Sequence, residues 1–247
     1  MFKKSIWILK QRSIAIVTAI LGILAWSFIC RQVNAVILRD LGREIIGIIV
    51  LFIVVRHLQP ERAQSGTALR RLPTFLIKAV LVVVMTGLAQ MLMAVTVARA
   101  SLAGLLGDTP NGLAFLAVVG ALAALIMAVV FGVFGPWLVE AALGPRSGIA
   151  ASTRAGLATL RYTFPRLLIP CAMFWLLNIV AMRVQDVIQP LLSMPSGSVA
   201  QNGAALALGA FVVVFRIYAW VLLAVVVSDA YRRGMQASSA EGERVTA

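Results

Sequence analysis

Apolar residues run along this chain in long blocks rather than in alternation. Ser13–Cys30, Phe75–Ala98, Leu113–Val139, Leu167–Met182 and Ala204–Val227 are almost free of charge. A helix needs about 20 apolar residues to cross roughly 30 Å of hydrocarbon. Each block therefore predicts a transmembrane helix, Leu167–Met182 being the shortest. Ile45–Val55 is too short alone, but Val36–Val55 reaches the required length by taking in Arg39, Asp40, Arg43 and Glu44. That charged turn reads as the outer end of the second span, at headgroup depth, with Asp40 and Arg43 three apart on one face. The pattern predicts an all-α polytopic bundle of six transmembrane helices, over 13–30, 36–55, 75–98, 113–139, 167–182 and 204–227, in a single domain covering 1–247.

Between the spans the periodicity changes. Phe2–Lys10 reads as a short amphipathic helix on the membrane surface, with Ile6, Trp7 and Leu9 for lipid and three lysines for headgroups. Gly144-Pro145 breaks the chain, and Pro suits a first helical position. Ile149, Thr153, Gly156, Leu157, Leu160 and Phe164 then recur at helical spacing, with Arg154 and Arg161 on another face. This predicts a cytoplasmic amphipathic helix between the fourth and fifth spans, ended by Pro165. Ser101–Gly112 and Val187–Gly203 mix Leu, Ile and Val with Gly and Pro, and should lie along the outer interface. Gly120, Ala124, Ala128 and Gly132 make a small-residue stripe suited either to central packing or to a dimer seam. Pro136 should bend or end that helix.

Composition agrees with a bilayer solvent. The chain is 61% hydrophobic and 13% charged, with a mean hydropathy of +0.97, where a soluble domain carries about a quarter charged residues. The net charge of +13 and pI near 11.4 would suggest nucleic acid in a soluble protein. Here the basic residues gather at helix ends, so no nucleic-acid partner is expected. With the N terminus inside, fifteen Lys and Arg fall in inner segments against five outside (Arg31, Arg39, Arg43, Arg99 and Arg183). This is the positive-inside bias. Trp7, Trp137, Tyr162 and Tyr231 share the inner interface. Both termini are therefore expected in the cytoplasm of a bacterial inner membrane. Val33-Asn34-Ala35 has the form of a signal-peptidase site. The apolar run before it is longer than a usual h-region and Arg31 intervenes, so the first span is expected to be retained.

Candidate chemistry is sparse. Cys30 and Cys171 fall near opposite faces, too far apart for a disulfide. His57 has no Cys or acid close in sequence, so no metal and no cofactor are expected. Arg216 stands near the centre of Ala204–Val227, where an arginine costs about 2.5–3.5 kcal/mol. Gln90 and Asn178 fall near the same depth, and the expectation is a cluster in which Arg216 donates to both. The nearest acids on this topology are Asp186 outside and Glu140 inside. Arg216 is then either an anion site, for a lipid phosphate or a carboxylate, or an internal strut. Lys78 should snorkel to the inner interface. Arg146, Arg154 and Arg161 are candidates for lipid headgroups.

Glu140, Gly144, Pro145, Ser152, Phe164 and Arg166 together resemble the YciC-type integral membrane proteins and the membrane domain fused to some glycerophosphodiester phosphodiesterases. The resemblance covers about 30 residues. It implies a six-helix bundle without chemistry of its own, since the phosphodiesterase activity belongs to a soluble domain not found in this sequence. Glu140-Ala141-Ala142 also resembles the coupling loop of ABC importer permeases, but Arg146 stands where that loop needs Gly. No nucleophile with a base and no paired carboxylates appear, so an enzyme is not expected. The expected function is a non-catalytic membrane component, for assembly, as a partner subunit or in lipid organisation, with anionic lipid as partner and a cytoplasmic protein as a second. The alternative is a small transporter or permease subunit handling an anionic or lipid-like ligand near Arg216.

Overall fold

The computed structural model describes residues 1–32, 36–59, 68–102, 112–144, 148–192 and 199–246. Among them every regular element is a helix: α1 Phe2–Gln11, α2 Ser13–Gln32, α3 Val36–Leu58, α4 Ala68–Leu102, α5 Gly112–Leu143, α6 Ile149–Leu192 and α7 Val199–Thr246. Among the described residues three stretches are long and apolar enough to cross a membrane: Leu69–Leu92, Ala117–Leu143 and Gly209–Gln236. The pair formed by α1 and Ser13–Trp26, bent by 86°, is a fourth if taken together. The chain divides into two compact units, one of Met1–Leu51 with Met173–Leu222, the other of Phe52–Ala172 with Leu223–Ala247.

The first unit is built on missing side chains. On α3, Gly42 receives the indole of Trp26 from α2, and Gly47 receives the indole of Trp220 from α7. A Cβ at either glycine would overlap the ring, so the helices approach as closely as their backbones allow. Phe174 meets Trp220 nearly edge-on, with centroids 5.1 Å apart, a favourable geometry for two π systems. Helix α1 buries Ser5 and Ile8 and leaves Phe2, Ile6 and Trp7 exposed. The Ser5 hydroxyl donates to Phe2 O at 2.8 Å and lies 3.4 Å from the Tyr218 hydroxyl.

In the second unit α5 is the central element. Gly120, Ala124, Ala128 and Gly132 are all buried, so the stripe is used for packing within the chain. Helix α6 crosses it closely, with Gly156 against the carbonyls of Gly132 and Val133 and with Leu160 and Leu167 against Gly132.

The structure bears on several expected breaks and loops. Pro136 lies inside α5, which runs on to Leu143. Pro145 lies outside the described residues, and α6 begins at Ile149, where Gly148 O accepts from Ala151 N and Ser152 N. Pro165 does not end an amphipathic helix: Ile149–Leu192 is one helix. A proline removes one ladder hydrogen bond, but contacts with α5 hold the segment on both sides of it. Ser152, Gly156, Thr159, Thr163, Leu167 and Cys171 form one buried stripe through the proline, while Ile149 and Leu157 are exposed. The buried face is thus the small, hydroxyl-bearing one, whose Thr159 and Thr163 hydroxyls donate to Ala155 O and Thr159 O one turn back. The apolar face of the sequence pattern is partly the outer one. Finally, helix takes up most of Val187–Gly203, since α6 ends at Leu192 and α7 begins at Val199. Of Ser101–Gly112, residues 103–111 lie outside the described residues.

The close α5–α6 contact yields a test. Gly156→Ala should lower stability by about 2 kcal/mol or more, because the new methyl meets backbone carbonyls that cannot rotate away. Gly87, with nothing within 4 Å of a Cβ, should tolerate Ala or gain up to about 1 kcal/mol of helix propensity. Thermal unfolding of both variants in detergent checks this, and equal melting temperatures would contradict the packing described.

Candidate functional site

Arg216 sits on α7 and donates through Nη2 to the carboxylate of Glu44 on α3. The two side chains are 17% and 30% exposed. This corrects the expectation that no acid shares its depth. The sequence pattern places Arg216 at mid-span and Glu44 in the charged turn at headgroup depth, yet the two meet side by side. Glu44 is about two turns into α3. The two helices run parallel in this unit, Glu44 opposite Arg216 and Gly47 opposite Trp220, so the depths coincide.

Gln90 and Asn178 are the expected companions of Arg216. Gln90, on α4 in the other unit, donates from Nε2 to Ala123 O at 3.4 Å. The Asn178 side chain lies outside the described residues, as do Arg146 and the side chains of Cys30, Asp40 and Asp186. Lys78 bends its ammonium onto Trp137, 4.6 Å from the ring centroid, a cation–π contact. Arg154 and Arg161 are exposed on one face of α6. Arg166 and Arg233 both stack on Tyr162, at 3.5 and 3.6 Å, and Arg233 also donates to the Tyr162 hydroxyl at 2.9 Å.

The second unit holds a polar corner that sequence reasoning did not assemble. It forms where α3 and α5 end. The last carbonyls of a helix have no partner within it, and arginines supply one here. Arg56 Nη1 donates to Ala142 O at 2.9 Å, and Arg232 Nη2 donates to Leu58 O. Gly144 turns the chain out of α5 with φ +133° and donates to Glu140 O at 2.8 Å. A positive φ strongly favours glycine, and the Arg71 guanidinium fills the space beside it, 2.8 Å from where a Cβ would stand. The Glu140 carboxylate, 1% exposed, accepts from the buried Ser152 hydroxyl of α6. Burial, and then the charge of Arg71, push the Arg56 guanidinium below its usual value. The basic residues in the last turn of α3 were the available signal, since cations favour helix C termini.

Glu140, Gly144 and Ser152, three residues on which the family resemblance rested, therefore meet in space. Chemically the corner concentrates guanidinium groups on two helix ends. No family model, curated protein or solved structure matches the chain.

The Glu44–Arg216 pair makes the next prediction. Arg216→Leu and Glu44→Leu should each destabilise, and the double substitution should cost less than their sum. The coupling should be about 1–3 kcal/mol, between an exposed and a fully buried pair. A double-mutant cycle read by thermal melting measures it, and additive losses would show that the pair is not a strut.

Proposed function

We propose that the chain is a six-span membrane protein with both termini on the cytoplasmic side of a bacterial inner membrane, where it acts as a non-catalytic component that binds anionic lipid headgroups. The observation that carries the lipid reading is the outer face of α6. Arg154, Leu157 and Arg161 are spaced by one turn and share that face, with Leu157 58% exposed between two exposed arginines. A lipid-inserting leucine flanked by cations is how a helix holds an interface rich in acidic lipids.

Support for six crossings comes from helix directions within each unit. In the first, α2 is antiparallel to α3, with Gly22 facing Ile46 and Trp26 facing Gly42, while α7 is parallel to α3. In the second, α4 is antiparallel to α5 through Lys78–Trp137 and Gln90–Ala123, and α5 to α6 through Glu140–Ser152 and Val133–Gly156. Alternating directions are what short-looped spans need. Ile77, Leu88, Met91 and Leu92 on α4 are more than half exposed, a surface suited to acyl chains.

The contact with Glu44 favours a strut role for Arg216 over an anion site, and with it the component reading over the transporter. The resemblance of Glu140, Gly144, Pro145, Ser152, Phe164 and Arg166 to YciC-type membrane proteins is part of this reading.

Native mass spectrometry of the detergent-released protein tests it. Phosphatidylglycerol or cardiolipin should be retained over phosphatidylcholine, and Arg154→Gln with Arg161→Gln should weaken that preference roughly 10- to 30-fold, at about 1 kcal/mol per cation. Equal retention of acidic and neutral lipid would sink the proposal.

A further inference from the structure

We propose that the corner formed by Arg56, Gln59 and Arg71 in the second unit is a binding site for a phosphate-bearing anion. It involves other residues than the α6 face and does not depend on it.

The case begins with unmatched donors. Among the described residues the Arg71 guanidinium has no hydrogen-bonded or ionic partner, and its Nε is buried. Gln59, 5% exposed, buries an amide Nε2 that donates to nothing described. Ser228, fully buried on α7 one turn before Arg232, has a hydroxyl in the same condition. Buried polar groups are ordinarily satisfied, and each of these can donate.

Placement brings Arg56, Gln59 and Arg71 to one corner. Arg56 and Gln59 are three residues apart where α3 ends. Arg56 reaches across to Ala142 O, and Arg71 lies over Gly144, two residues further along the same turn. Arg56 and Arg71 are near enough for their charges to oppose one another. The helix-end carbonyls already engage Arg56 and Arg232, whereas among the described residues no carbonyl or carboxylate engages Arg71. The Glu140 carboxylate accepts from Ser152 on the other side of the turn.

A phosphate suits this donor set better than a carboxylate. Its oxygens match planar guanidinium forks in pairs, and its charge of about −1.5 to −2 exceeds that of a carboxylate beside Arg71. The phosphate can belong to a soluble ester or to a lipid headgroup.

The full-length protein in neutral detergent would be titrated with inorganic phosphate against chloride at constant ionic strength. In parallel, protein in phosphatidylcholine nanodiscs would be titrated with phosphatidic acid. At least one series should raise the melting temperature saturably. A response to inorganic phosphate assigns a soluble ligand, and a response to phosphatidic acid alone assigns a headgroup. Arg71→Gln should weaken the apparent affinity at least tenfold, Arg71→Lys less, and the exposed neighbour Arg70→Gln not at all. Should Arg71→Gln fail to fold, Gln59→Met keeps the volume, removes the amide donor and should lower affinity severalfold. No saturable response in either series, or unchanged affinity when Arg71 or Gln59 is replaced, overturns the site. The inorganic-phosphate series contains no lipid, so its result is separable from the fate of the α6 proposal.

Discussion

Each α-helix ends with carbonyl groups that its own backbone cannot satisfy, and in apolar surroundings water is not there to take them. The second unit meets this requirement with arginines from neighbouring helices. Arg56 of α3 reaches the last turn of α5, and Arg232 of α7 reaches the last residue of α3. Each contact ties two elements distant in sequence and places a positive charge at the negative end of a helix dipole. The same corner buries Glu140 against Ser152, which closes the turn at Gly144 between α5 and α6. Helix ends, chain turn and polar corner are thus one construction.

Close approach of backbones is the second organising feature. With little hydrophobic force to drive helices together in lipid, packing area has to come from small residues. Gly42 and Gly47 admit tryptophan rings in one unit, and Gly132 and Gly156 bring α5 and α6 into contact in the other. That contact also explains why α6 passes through Pro165 as one helix. The lost hydrogen bond is a local cost, while the buried stripe from Ser152 to Cys171 is continuous across it.

The Glu44–Arg216 pair shows how charge is handled in the first unit. A guanidinium in an apolar helix is tolerated when an acid meets it, and parallel α3 and α7 supply one. Pairing converts an expensive residue into a register mark, since a one-residue slip of either helix would separate the two.

Length and hydrophobicity alone determined the all-helical class and the places where long apolar helices lie, because those depend on local sequence and not on neighbours. The helix starts at Ser13 and Val36 were legible for the same reason. So was the inward use of the Gly120–Gly132 stripe as one of its two readings. Three things were decided only by tertiary structure. The partner of Arg216 depended on helix register, which carries no signal in a single sequence. The continuity of α6 depended on packing across Pro165, which outweighs a local helix-breaking signal. The polar corner depended on bringing together residues from Arg56 to Arg232, each of which reads by itself as an ordinary basic residue at a helix end. Local physics sets where helices form, and only their packing sets which charges meet.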